Sequence, residues 1–174
     1  MKNNIDEEIK LLSKKVNEIK TSKDEVLIGV KGLLTGTVLS LIKANDLSLK
    51  DNLDLGYYYE IDNITKEITE GKLPEMGNWL AGFYFNSALM RLAATYNILL
   101  IRMLGKSKGD MRYLQEEAIK RNKIDKKEAE LLENVYLDVN DFEHEGGKFL
   151  KKRRTKEIAT AIKAGNKLIE LLNR

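Results

Sequence analysis

Tyr136, Asn140 and His144 form the one polar row in this sequence whose residue types and spacing could do chemistry, and His144 is the only histidine. They recur every four residues in a helix-forming segment, so their side chains lie on one side of a helix. With Val139 at the centre of the apolar stripe, Asn140 and His144 lie about 100° and 140° around the helix. An amide and an imidazole beside the buried face could hydrogen-bond a phosphate or exchange a proton with a ligand.

A dense basic run follows this row. Six cations stand within nine residues there: Lys148, Lys151, Lys152, Arg153, Arg154 and Lys156. Lys and Arg hold phosphates by charge-assisted hydrogen bonds. The pattern predicts a ligand-binding site composed of Tyr136, Asn140, His144, Lys148, Lys151, Lys152, Arg153 and Arg154. Two plainer interpretations remain open: a histidine that caps the end of a helix, and a basic turn that is simply solvated.

The composition excludes several kinds of site. The chain has no cysteine, which excludes disulfides, zinc–thiolate sites and thiol nucleophiles. A single histidine excludes HExxH-type and multi-histidine metal sites. Thirty Lys and Arg residues against 27 Asp and Glu residues give a net charge of +3, so any basic patch is local. A carboxylate-only site for Mg²⁺ or Ca²⁺ survives in principle, but no DxDxDG-type loop supports it, and we expect no metal and no other cofactor.

The segment Val139-Asn140-Asp141-Phe142-Glu143-His144 resembles the motif of the HEPN superfamily, and residues 79–172 resemble that superfamily in helix order. The resemblance implies a small helical bundle, usually dimeric, of a kind that often acts in bacterial defence or toxin–antitoxin systems. Active members are metal-independent endoribonucleases. In them an arginine and a histidine from two protomers face one RNA phosphate, the ribose 2′-hydroxyl attacks, and the histidine assists proton transfer.

Val139 stands where the HEPN motif has its arginine, and an aliphatic side chain cannot stabilise a phosphorane. The leading hypothesis is therefore a non-catalytic HEPN-like homodimer that binds RNA, a nucleotide or a cognate protein partner. One alternative is an active endoribonuclease in which His144 is the acid and base and Arg153 or Arg154 replaces the arginine. Another is a structural adaptor whose contacts lie on apolar helix faces.

Apolar residues recur at intervals of three and four almost throughout, which predicts an all-α protein. We predict one domain over residues 1–174, a bundle of six or seven helices with a long helix from Pro74 to Leu104 at its centre. The predicted core positions are Ile5, Ile9, Leu12, Val16 and Ile19; Leu27, Val30, Leu34, Val38 and Leu41; Tyr57, Ile61, Ile64 and Ile68; Phe85, Leu89, Leu92, Tyr96, Leu99 and Met103; Leu132, Val135, Val139 and Phe142; and Ile158, Ile162, Ile169 and Leu172.

Local signals predict where these helices begin and end. Ser22-x-x-Glu25 and Asp125-x-x-Glu128 match the capping box that opens a helix, and Thr155 is a suitable N-cap for the last one. Residues 45–55 form a predicted polar connection. Glycines at 29, 32 and 36 weaken the second helix but would let another helix approach closely.

Two stretches are apolar enough to be considered as membrane spans, Val26–Ile42 and Trp79–Leu104. The first is only 17 residues long and contains Lys31, and the second contains Arg91 and Arg102, which would be costly in lipid. The N-terminus also lacks the apolar region of a secretion signal. We therefore expect buried core helices, a cytoplasmic location and no membrane partner.

Overall fold

The computed structural model describes residues 2–49, 73–144 and 154–174, and the side chains of residues 4–46, 81–135 and 156–174. Six α-helices and no strands lie in those ranges. The helices are α1 (Lys2–Asn17), α2 (Glu25–Leu49), α3 (Leu73–Leu104), α4 (Met111–Lys120), α5 (Lys126–His144) and α6 (Arg154–Leu172). The prediction of an all-α helical bundle is confirmed.

The long helix α3 is the centre of this bundle, as predicted. It contains 32 residues and packs against α2, α4, α5 and α6, while α1 lies on α2 and α6. Leu89, Leu92, Tyr96 and Leu99 of α3 are each at most 2% exposed. One apolar helix therefore supplies the middle of the core for four neighbours.

The predicted apolar stripes are largely confirmed where side chains are described. All five positions predicted for the first helix are buried, but Ile19 lies beyond the end of α1 at Asn17. Those of α2 are also buried apart from Leu27, which is half-buried. Met103 and Leu172, near the ends of their helices, are also only partly buried. The predicted helix with Tyr57, Ile61, Ile64 and Ile68, and the side chains of Val139 and Phe142, lie outside the described part of the chain.

Helices α2 and α3 form an antiparallel pair. An ion pair between Asp24 and Arg102, 2.8 Å apart, joins the start of α2 to the end of α3. Midway along, the Arg91 Nη1 donates a hydrogen bond to the Ser40 Oγ over 3.1 Å. A Cβ on Gly36 would lie 2.6 Å from the Arg91 Nε, so glycine is what makes room for this side chain.

The other two glycines of α2 do not behave as predicted. A Cβ on Gly29 or on Gly32 would have no neighbouring atom within 4 Å. Neither glycine therefore serves a close helix approach within the described residues of one chain. Within the described residues the prediction is met at Gly36, because that position faces α3.

One of the two predicted capping boxes is confirmed and the other is wrong. The Asp125 Oδ1 accepts from the Glu128 amide over 2.8 Å, and the Glu128 Oε2 accepts from the Asp125 amide over 3.0 Å. At α2, however, the cap is Asp24, whose Oδ1 accepts from two backbone amides. Ser22 has a left-handed backbone with φ of 43°, whereas an N-cap needs extended backbone.

Two other predicted boundaries are also wrong. Helix α2 continues through Asn45 to Leu49, because Ala44 is buried and the Asn45 Nδ2 donates to the Asp6 Oδ1 of α1 over 2.6 Å. A polar residue inside a helix is thus stabilised by a neighbouring helix. Helix α6 begins at Arg154, so Thr155 lies in its first turn and does not cap it.

Candidate functional site

The predicted polar row lies at the carboxyl end of α5. That helix includes positions 136 and 140 and ends on His144, and α6 begins at Arg154. The side chains of Tyr136, Asn140, His144 and Arg154 lie outside the described side chains. Lys148, Lys151, Lys152 and Arg153 lie outside the described residues altogether. The helical backbone keeps Asn140 and His144 one turn apart, as the spacing predicted.

Of the eight large apolar side chains exposed among the described residues, six belong to α2 and α3, and one of these, Val26, lies on a different side of α2 from the others. Ile28, Leu39 and Ile42 of α2 and Phe83 and Met90 of α3 are exposed, with Leu39 at 59% and Phe83 at 63%. We call the surface that carries these five side chains the exposed apolar face. Several large apolar side chains exposed on two adjacent helices commonly mark a place where another molecule binds.

The five side chains lie on one side of the α2–α3 pair. Arg91 of α3 contacts Gly36 and Ser40 of α2, so the two helices lie side by side. Their buried positions face α1, α4, α5 and α6. On a 3.6-residue repeat, the exposed positions of both helices fall on the opposite side.

Arg91 gives the exposed apolar face a positive charge near its middle. Its side chain is half-buried, and its Nη1 donates to the Ser40 Oγ and the Ser87 carbonyl. No carboxylate of the described residues forms an ion pair with it. A carboxylate or phosphate brought by a binding partner would therefore find a guanidinium with unused donors.

A polar network joins α3, α4 and α5 inside the bundle. The Tyr96 hydroxyl donates to the Gln115 Oε1 over 2.8 Å, and the Gln115 Nε2 donates to the Glu133 Oε2 over 3.2 Å. Burial, with the nearby charge of Glu133, raises the pKa of the Tyr96 hydroxyl. This tyrosine therefore stays protonated and acts as a structural donor.

A second polar cluster lies where α5 begins and α6 ends. The buried carboxylate of Glu128 accepts two hydrogen bonds from Arg174 and lies 3.5 Å from the Lys167 Nζ. The hydrogen bonds from Arg174 are the main reason why the pKa of Glu128 is lowered. A carboxylate with these partners is held ionised and serves structure.

A cleft of about 410 Å³ lies beside this cluster, where α3 and α6 end. Leu99, Met103 and Leu171 form its apolar floor, and Arg102, Lys123 and Arg174 form part of its rim. Both arginines are already neutralised, Arg102 by Asp24 and Arg174 by Glu128. Since Lys123 alone is left without an acidic partner among the described residues, this cleft is a weak site for an anion.

Within the described ranges, no three His, Asp or Glu side chains come together in a way that could hold a metal ion.

Segments Glu25–Asp46 and Ala81–Leu104 are long and apolar enough to cross a membrane. Core helices of soluble proteins can be as long and as apolar, and each segment has a face within the core. Only 33% of the most apolar stretch of the first segment and 44% of that of the second are buried, and the exposed apolar face lies on these same two helices.

The sequence analysis allowed for contacts on apolar helix faces but did not identify these five residues. A signal was present: α2 and α3 are apolar on nearly every side, whereas a helix on the surface of a bundle needs only one apolar stripe. The surplus apolar positions are the ones that are exposed. Comparisons with known proteins add nothing further, since no family model, curated protein or solved structure matches this chain.

Proposed function

We propose that this protein is a non-catalytic helical interaction protein that binds a protein partner through the exposed apolar face. The observation that carries the proposal is the exposure of Leu39, Ile42, Phe83 and Met90 on two neighbouring helices. Interface cores are poor in charged residues and rich in aromatic residues and methionine. Apart from Arg91, the middle of this face has that composition.

The size of the apolar contact indicates what the partner must supply. Fully burying a large aliphatic or aromatic side chain contributes about 1.5–3 kcal/mol. Five side chains that are each about half exposed would thus contribute roughly 5 kcal/mol when covered. Association costs about 4–15 kcal/mol in lost freedom. The partner must therefore bring an apolar surface of its own.

The proposal predicts that Leu39→Asp prevents partner binding in cells without unfolding the protein. Leu39 is exposed in the single chain, so the substitution creates no buried charge there, but it places a carboxylate inside the proposed interface. Tagged wild-type and variant proteins would be compared by cross-linking in cells, followed by mass spectrometry. Loss of about 90% of a specific cross-linked partner is expected.

Leu11→Asp is the matched control, because Leu11 is also half-exposed but lies on α1. It should retain the partner. Equal capture by wild type, Leu11→Asp and Leu39→Asp would contradict the proposal. Circular dichroism of both variants checks that helix content is unchanged.

Binding of RNA or a nucleotide by the polar row is the second candidate function. Its support is the Asn-x-x-x-His spacing at the end of α5, followed by cations up to the start of α6. In this hypothesis the protein is a HEPN-like member of a cytoplasmic defence or toxin–antitoxin system, with Asn140 and His144 beside the ligand phosphate.

This candidate predicts RNA binding without cleavage. Neutralising Lys151, Lys152, Arg153 and Arg154 together should weaken RNA binding at least tenfold and flatten its dependence on salt, because fewer counterions are released. RNA incubated with wild-type protein in EDTA should stay intact. Cleavage that disappears in His144→Ala would instead establish the endoribonuclease alternative. The Val139→Arg variant then tests whether the scaffold can support cleavage.

A further inference from the structure

The exposed positions of α2 follow a regular pattern. Ile28, Gly32, Thr35, Leu39 and Ile42 are separated by four, three, four and three residues, and all five are exposed. This spacing keeps the positions in one line along a helix, as in the contact line between two paired helices. We call this line the α2 seam.

Side-chain sizes along the α2 seam are complementary when two copies of the seam pack against each other. If a second copy of α2 runs antiparallel, with the two-fold axis at the level of residue 37, position 39 meets position 35 and position 42 meets position 32. Leu39 then faces Thr35 of the second copy, and Ile42 faces Gly32. In these two pairs a large side chain meets a small one, which allows close packing. At each end of the seam Ile28 faces Asp46, an exposed residue whose carboxylate stays in water.

Gly32 supports the same arrangement. Glycine inside a helix lowers helix stability relative to alanine, and no neighbouring atom of the described residues lies within 4 Å of where its Cβ would be. The described residues therefore show no packing reason for a glycine there, and the same holds for Gly29, which lies outside the α2 seam. A large side chain from a second helix does supply one, because small residues let two helices approach closely.

We propose that a second copy of this chain occupies the exposed apolar face, with the two α2 helices antiparallel along the α2 seam. The inference rests on the proposed function, because it names the partner of that face. A second copy brings an equal apolar surface, as the energetics of the contact require. A two-fold axis also makes the same patch serve both subunits.

Sedimentation velocity of the full chain over a range of concentrations gives the first test. Wild type should form a concentration-dependent dimer, and Leu39→Asp should weaken it at least tenfold. Gly32→Leu should do the same by filling the space that Ile42 of the second copy needs. Gly29→Leu is the matched control: it adds the same side chain at an equally open glycine outside the α2 seam, so the dimer should persist.

Cysteine cross-linking tests the direction of the helices, since the natural chain contains no cysteine. Thr35→Cys and Leu39→Cys chains, carrying tags of different size, would be mixed and oxidised. Antiparallel pairing predicts a disulfide between the two kinds of chain. Disulfides only within each kind would overturn the antiparallel arrangement, because parallel helices in register place identical positions together.

The rate at which a dye labels the thiol of the Leu39→Cys chain separates the possible occupants. A second copy predicts fast labelling in dilute solution and protection at high concentration. Protection at every concentration would mean that the chain's own residues cover the face, and would overturn both this inference and the proposed function. A wild type that stays monomeric to roughly 100 µM overturns the second copy alone if Leu39→Asp still loses a cellular partner.

Discussion

Replacing Glu128 by Gln should lower the free energy of unfolding by about 1–2 kcal/mol at pH 7, because it removes the charge that Arg174 and Lys167 share, while water still reaches the half-exposed Arg174 side chain. The Glu128 side chain is only 6% exposed, so water replaces its hydrogen bonds with Arg174 poorly. Gln keeps a side-chain oxygen that accepts from the Asp125 amide, so the capping box at the start of α5 is retained and the loss reports on the charge. Urea unfolding of the two proteins would measure the loss.

The same loss should depend on pH. Because the pKa of Glu128 is lowered in the folded protein from its ordinary value of 4.5, ionised Glu128 stabilises the folded state. That contribution is complete well above pH 4.5 and disappears as the pH falls through the lower folded-state pKa. The difference between wild type and Glu128→Gln should therefore shrink in acid.

Glu117→Gln provides the control for this comparison. Glu117 also pairs with an arginine, Arg121, but on the surface of α4, where water and salt screen the pair. The control should change stability little at any pH. An equal loss for Glu128→Gln at pH 7 and at pH 3 would contradict the explanation, since it would show that the ionised carboxylate is not what stabilises the fold.

Leu92→Ala should destabilise the protein by about 3 kcal/mol, because it leaves a cavity in the core beside the middle of α3. Leu92 is 1% exposed, and a Cβ on Gly165 of α6 would lie 3.7 Å from its Cδ2. The melting temperature should fall by roughly 6–12 °C. Thermal unfolding followed by circular dichroism measures this shift.

Leu11→Ala is the matched control for the cavity, since it removes the same atoms from a side chain that is 52% exposed. Its effect should stay within about 0.5 kcal/mol. A Leu92→Ala variant as stable as this control would contradict the central position of α3 in the core.

The residues that were predicted correctly depend on short-range chemistry. The stripe of α1 is buried at all four predicted positions within Lys2–Asn17, because a 3.6-residue repeat leaves one face for the core wherever the helix docks. Asp125 and Glu128 cap α5 because both partners lie within one turn. The long helix from position 73 to 104 follows from an uninterrupted apolar repeat with Pro74 at its start.

The wrong predictions depend on distant residues. Ser22 and Asp24 are both acceptable caps by type, and Asp24 is the cap that also forms an ion pair with Arg102, 78 positions away. The polar Asn45 looked like the start of a connection, but Asp6 of α1 accepts its hydrogen bond inside the bundle. Neither partner is visible in a local stretch of sequence.

The amino-acid order alone thus determines an all-α bundle, its central helix and most of its buried stripes. The reason is that the 3.6-residue repeat of a helix is the same whichever elements pack beside it. The sequence does not determine which apolar side chains of α2 and α3 stay exposed. Each helix has more apolar positions than one buried side can hold, and only the docking of four neighbours onto α3 decides which remain exposed. The exposed apolar face is therefore a product of tertiary packing.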